Sequence, residues 1–318
     1  MREALSWAKA QQLPVAILGG GTNLVVGDGG YAGLVVRMAT RGIHCTDDGE
    51  HVLLSVEAGE PWQNVVDAAL AEDLAGLECL TGIPGSAGAT PIQNVGAYGQ
   101  EVSGTLVDVD VLDRNTLQVL TLTHAECELS YRGSRFKREP GRYVVLAVRF
   151  RLQKAGAPTV RYAELSRALS GVTTPSLRQV AGAVRALRAG KSMLLDPLDE
   201  NGRSAGSFFK NPIVSEAEAE RIKALCVAKG LVSEAREVPV YSAGADRVKL
   251  AAGFLIERAG ISKGLRRDAV GVSSKHALCL VHYGGGQTRD LLALAEEIET
   301  RVMQVFGVQL AREPAHWG

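Results

Sequence analysis

The chain has 318 residues, enough for two domains, and its 46% hydrophobic and 22% charged content is that of an ordinary folded globular protein. Lys plus Arg number 35 and Asp plus Glu number 35, so the formal net charge is zero; with no basic or acidic block, this argues against a nucleic-acid surface. No uncharged apolar run approaches the roughly 20 residues of a spanning helix, and the polar start Met1–Gln12 lacks the apolar core of a signal segment, so a cytoplasmic protein is expected.

Strand and helix patterns alternate along the chain. Val15–Leu18, Leu34–Arg37, Leu53–Glu57, Val107–Leu112 and Tyr143–Leu152 read as strands. In the fourth, Val107, Val109 and Val111 alternate with Asp108 and Asp110, the period-two mark of a half-buried strand. Pro61 suits a first helical position, Trp62, Val65, Val66, Ala69 and Leu70 then share a face, and Gly76 reads as the stop. Ser176 with Gln179 and Ser215 with Glu218 have capping-box spacing. A last helix carries Leu291, Leu294, Ile298, Val302 and Val305 on one face and stops at Gly307. A boundary is expected within residues 190–203, giving domains 1–190 and 191–318. The five cysteines lie far apart with no C-x-x-C pair, which predicts small buried thiols rather than a disulfide framework or zinc site.

Five stretches carry candidate chemistry. The string LGGGTNL ends a strand in Gly19, Gly20 and Gly21, followed by Thr22, Asn23 and Leu24; amides this unencumbered can nest a phosphate, although a turn between strands reads equally well. It is not the dinucleotide fingerprint, because Leu24 stands where the third glycine belongs. The segment Thr81–Gly104 carries Gly82, Gly85, Gly88, Gly96, Gly99 and Gly104, too long for a turn and too poor in charge for a linker. Its amides can wrap a pyrophosphate or flat ring, with Asn94 and Tyr98 offering hydrogen bonds and a stacking face. Two such loops favour a large phosphate-bearing cofactor over a structural omega loop. In YRGSRFK, Arg132, Arg135 and Lys137 crowd together; arginine forks onto carboxylates, but an exposed basic turn is the plainer reading. In SAGSFFKNP, Ser207 has no G-x-S-x-G elbow, so a Ser-His-Asp hydrolase is disfavoured. Glu313 lies in the tail LAREPAHWG and becomes interesting only if the tail folds back onto the core.

Taken together, LGGGTNL, GIPGSAGATPIQNVGAYGQE, YRGSRFK, SAGSFFKNP, VKLAAGFLIERAG and the L-x-x-E of Leu310–Glu313 resemble the UDP-N-acetylenolpyruvoylglucosamine reductases, in that family's order and over nearly the whole chain. The resemblance implies an α+β fold: a two-lobed FAD-binding domain of the vanillyl-alcohol-oxidase type, then a C-terminal α+β substrate-binding domain. It implies FAD and NADPH as cofactors, hydride passing from NADPH through FAD to the enolpyruvyl ether of a UDP-sugar, UDP-N-acetylmuramate as product, and a monomer. By the same resemblance Ser207 protonates the carbon next to the one that receives hydride. Arg132 stabilises the enediolate-like charge, with Glu313 as a partner acid at least partly protonated. Cofactor contacts fall on Gly19, Gly20, Gly21, Thr22, Asn23, Leu24, Gly82, Ile83, Pro84, Gly85, Ser86, Gly88, Asn94, Gly96, Ala97, Tyr98 and Gly99. Substrate contacts fall on Tyr131, Tyr162, Lys191, Asn211, Tyr241 and His276, the tyrosine in RYAEL marking the subgroup whose loop closes over the UDP pyrophosphate; no metal is implied. The Phe pair after Ser207 is expected to fix the serine and exclude water. Family members carry an opening strand ahead of the helix at ALSWAKAQQLP, whereas Met1 precedes it here; a misplaced start or an exposed sheet edge is the expectation. The alternatives are an oxidase on the same fold, which needs neither SFFKNP nor Glu313, and a non-catalytic nucleotide-binding module, which predicts loss of Ser207, Arg132 or Glu313.

Overall fold

A computed structural model describes residues 1–318. Two compact units emerge: Met1–Gly21 with Tyr31–Leu195, and Thr22–Gly30 with Asp196–Gly318. Both mix helix and sheet, the expected α+β class. No helix is long and apolar enough to cross a membrane.

The first unit is built on the long strand Tyr143–Lys154. Leu106–Asp113 flanks it on one side and His51–Glu57 on the other, both antiparallel, with Val119–Thr123 and Ile43–Asp48 at the two edges. The alternation in the sequence works as written. Val109 and Val111 are fully buried, while Asp110 takes a fork of hydrogen bonds from Arg149 at 2.9 and 2.7 Å and Asp108 pairs with the same guanidinium. Helix Trp62–Ala71 lays Trp62, Val65, Val66, Ala69 and Leu70 into the core, and the Trp62 ring meets Phe150 edge-on at 5.7 Å. Each of the buried Val and Leu side chains contributes about 1.5–3 kcal/mol of transfer free energy.

Gly76 is not the stop of that helix. The helix ends at Ala71, Asp73 turns the chain at a φ of 50°, and Leu74–Ala75 already pairs with the long strand. Gly76, at a φ of 127°, instead lies where a Cβ would meet Thr105 Cγ2 at 2.6 Å. Pro61 is the extended residue before the helix rather than its first turn, with a ψ of 130°. Separately, Val15–Leu18 and Leu34–Arg37 form a parallel pair.

The second unit holds two antiparallel sheets. One runs Ser204–Ser207, Cys279–His282, Val270–Val272, Arg266–Arg267; the other runs Ile213–Ser215, Arg247–Leu250, Val240–Ser242. Helices Glu216–Ala228, Ala252–Arg258 and Thr288–Phe306 pack on a common core that includes Phe208 and Phe209. The last helix buries Leu294, Ile298 and Val302 and ends at Gly307 in the left-handed conformation.

The Ser176–Gln179 capping box closes in both directions. At Ser215 only the serine does its part, accepting from the Glu218 amide at 3.2 Å, because the Glu218 carboxylate is taken by Arg221 at 2.7 Å. Four cysteines are buried as expected, but Cys45 is exposed, since its strand Ile43–Asp48 is a sheet edge. Burial pushes the Cys79 thiol up to about 12 and that of Cys127 to about 11, which keeps both protonated and unreactive.

Candidate active site

In the first unit the two glycine-rich strings meet backbone to backbone. A Cβ on Gly20 would lie 2.8 Å from Gly85 Cα, and one on Gly19 would lie 2.9 Å from Ser86 Oγ. The second string is stitched to the start of helix Trp62–Ala71. The Trp62 amide donates to Gly85 O at 3.0 Å, the Gly88 amide to Ala58 O at 2.9 Å, and the Gly82 amide to Gln63 Oε1 at 2.6 Å. Gln63 carries no signal in the sequence; only the fold brings it to the loop. The first string is not one loop. Gly19–Gly21 stays in the first unit, whereas Thr22, Asn23 and Leu24 go with the second, because Leu24–Val26 finds its strand partner in the tail.

Further along, Gly96–Ala97 pairs with Gln100–Glu101 in a hairpin whose turn residues, Tyr98 and Gly99, have φ of 48° and 89°. Positive φ at both positions is the demand of a I′ turn, and a tyrosine meets it only under strain. Burial pushes the Tyr98 phenol up to about 12, Arg188 pulling it down and Glu164 pushing it further up, so it is a neutral donor at neutral pH. Tyr162 meets the Tyr98 ring edge-on at 5.6 Å. Lys191 sits over the same ring at 5.6 Å, its ammonium 2.5 Å from Glu164 Oε2. Tyr98, Tyr162 and Lys191, named separately from the sequence, therefore form one cluster. Its fourth member, Glu164, lies 27 residues from Lys191 in sequence, a spacing that marks nothing.

Tyr131 and Arg132 are the two tip residues of a turn closed by mutual backbone hydrogen bonds of Ser130 and Gly133, both 3.0 Å. Arg132 has a φ of 51°, a conformation costing a bulky residue about 1–3 kcal/mol, and its Nη2 donates to Gly96 O at 3.0 Å. Ser134, fully buried, caps the short helix Arg135–Arg138 just beyond.

In the second unit Ser207 ends the strand Ser204–Ser207, opposite Cys279, after a break in register where Gly206 takes a φ of 73°. Phe208 and Phe209 are both buried, their rings edge-on at 5.3 Å. The tail does fold back. The Glu313 amide donates to Phe208 O at 2.8 Å, and the Lys210 amide to Ala311 O at 2.9 Å. Arg312 forks onto Glu299 at 2.7 and 2.8 Å, and Ala315–Trp317 pairs in parallel with Leu24–Val26, so Glu313 is held from both sides. Asn211 accepts from the Ala252 amide at 2.9 Å, Tyr241 lies on the strand Val240–Ser242 more than a third exposed, and His276 is half-buried in the turn before Cys279.

Residues 196–317 match the family model described as UDP-N-acetylenolpyruvoylglucosamine reductase, C-terminal domain, and residues 1–117 match the FAD binding domain. The UDP-N-acetylenolpyruvoylglucosamine reductase of Streptomyces coelicolor is 48% identical over 96% of this chain and 79% of its own length. This chain belongs to the UDP-N-acetylenolpyruvoylglucosamine reductase family. Its reach across that family is wide: the Pseudomonas fluorescens reductase is 40% identical over 99% of this chain and 89% of its own. The crystal structure of the family's enzyme from Thermus caldophilus shares the fold, with a TM-score of 0.63 at 24% identity, covering 100% of this chain and 90% of that one.

The cofactor of this family member is FAD. The residues present fit it: Gly20 and Gly85 bring two runs of backbone amides together with no side chain between them, the cradle a phosphate-bearing group requires. Gly19, Gly20, Gly21 and Gly85 are the residues that would hold it.

Proposed function

We propose that the protein reduces the enolpyruvyl ether of UDP-N-acetylglucosamine-enolpyruvate to UDP-N-acetylmuramate in peptidoglycan precursor synthesis. Membership in the reductase family supports this, and the fold-back of the tail onto the SAGSFFKNP string carries the assignment of residues. FAD, when bound, supplies hydride, received from NADPH, to the methylene carbon of the enolpyruvyl group. Hydride arriving there leaves negative charge on the adjacent carbon, shared with the carboxylate. Arg132, fixed by its turn, stabilises that charge where it develops. Ser207 gives its proton to the same carbon, and an already formed carbanion does not require a strong acid. Glu313, its main chain hydrogen-bonded to Phe208, is the partner acid.

For the substrate we assign the diphosphate to Tyr162 and Lys191, with Tyr131, Asn211, Tyr241 and His276 as further contacts. Lys191 would exchange Glu164 for the diphosphate on binding. Tyr162→Phe keeps the ring against Tyr98 and removes only the hydroxyl. We expect KM for the UDP-sugar to rise about tenfold, as for one lost hydrogen bond to a charged group, with kcat little changed. An unaltered KM removes Tyr162 from the diphosphate site.

We read the first unit, which takes in most of residues 1–190, as the cofactor domain and the second, which takes in most of 191–318, as the substrate domain, and the protein as a cytoplasmic monomer without a nucleic-acid partner; zero net charge supports the last point. The visible spectrum of the purified chain tests the whole reading. Near one FAD per chain is expected, together with NADPH oxidation that depends on the enolpyruvyl sugar and yields one UDP-N-acetylmuramate per NADPH. Turnover with oxygen alone overturns it in favour of an oxidase.

A further inference from the structure

The side chain of Asn94, a residue the resemblance places among the cofactor contacts, is fully engaged within the protein. The residue is 1% exposed. Its Nδ2 donates to Glu101 Oε2 at 2.8 Å and to Ser130 O at 3.2 Å, and its Oδ1 accepts from the Ser103 amide at 3.1 Å. Both amide hydrogens are thereby used. Ser130 is the closing residue of the turn that carries Arg132, and Arg132 Nη2 reaches Gly96 O, two residues from Asn94 and cross-strand from Glu101. The amide thus ties the glycine-rich hairpin to the arginine turn at the turn's base, and the guanidinium ties them again at its tip. Arg132 holds a left-handed backbone, which persists only where its surroundings over-determine it.

We propose that Asn94 is a positioning residue for Arg132, acting through the Ser130 carbonyl and itself oriented by Glu101. The inference rests on the role given to Arg132 above. Asparagine is the fitting residue for two reasons. It tolerates the φ of 45° found here, as aspartate does and alanine does not. It also offers donors to two oxygens and an acceptor to one amide, a combination aspartate loses.

Asn94→Asp keeps the shape and the acceptor but sets a carboxylate against Glu101 and the Ser130 carbonyl. The expected result is normal FAD content, normal reduction of the flavin by NADPH, and reoxidation by the enolpyruvyl sugar slowed about 100-fold, the loss an ångström of misplacement brings. A like-charge pair holds its second proton more tightly, so the slowed step should recover as pH falls in the variant and not in the parent. Adding Glu101→Gln lets the 101 side chain donate to residue 94 and should restore at least about tenfold of the loss. The decisive comparison uses Arg132→Ala. If Asn94 acts only through Arg132, the Asn94→Asp/Arg132→Ala double variant is no slower than Arg132→Ala alone. Fully additive losses, or Asn94→Asp at the parental rate, overturn the inference while leaving Arg132 in the site. Arg132→Ala at the parental rate overturns the reading beneath it and the inference together. Should Asn94→Asp not accumulate as folded protein, Glu101→Ala tests the link from the other side. Slowed reoxidation with normal FAD content supports it, and parental rates overturn it.

Discussion

Ser207→Ala should reduce its flavin with NADPH at the parental rate and then return those electrons to the enolpyruvyl sugar about 100- to 10,000-fold more slowly, the range a positioned proton donor contributes. The split between the two half-reactions is the point of the experiment. NADPH oxidation needs no proton from this hydroxyl, so only the second step is exposed to its loss. Stopped-flow absorbance at the flavin bands separates the two in one enzyme preparation. The variant should fold: Ser207 is half-buried, ends a strand, and its neighbours Phe208 and Phe209 supply the packing. If both half-reactions stay fast, Ser207 is not the donor. If both are slowed, the change has disturbed the cofactor rather than the proton.

What the sequence disclosed about this site follows from how local each feature is. The alternating valines of Leu106–Asp113, the Ser176 capping box and the Gly307 stop are written within a few residues and fold as written. Gly76 misled because a glycine with positive φ ends helices but equally admits a crowded turn, and here Thr105 leaves no room for a side chain. The departure of Thr22–Leu24 to the second unit left no mark at all, since the strand it pairs with comes almost 300 residues later and parallel pairing has no local period. Glu313 stands out in the sequence only through the resemblance. The Arg312–Glu299 fork and the Phe208 carbonyl then show what holds the main chain at this point of the tail. At Asn94 the residue type predicts hydrogen bonds, and the fold decides that the side chain makes them to Glu101, Ser130 and Ser103.

Gly20→Ala should cost the protein its FAD. The added methyl would stand 2.8 Å from Gly85 Cα, closer than real side chains approach, and backbone cannot rotate aside as a side-chain tip would. Gly85 itself has a φ of 128°, a conformation open to glycine alone, so the second loop has little room to refold around the intruder. One loop must therefore back away by several tenths of an ångström, and with it the amides that line the cradle. Overpacking of this kind costs about 1–3 kcal/mol. Placed on a binding loop, that is roughly a ten- to hundredfold loss of FAD affinity. The flavin-to-protein absorbance ratio after desalting should drop, added FAD should restore it only at high concentration, and the apoprotein should remain folded by circular dichroism. Gly29→Ala is the matched control, because a Cβ there meets nothing within 4 Å; it should retain its flavin in full. Equal flavin content in the two variants would mean that the approach of Gly20 to Gly85 closes the fold without organising the cofactor site.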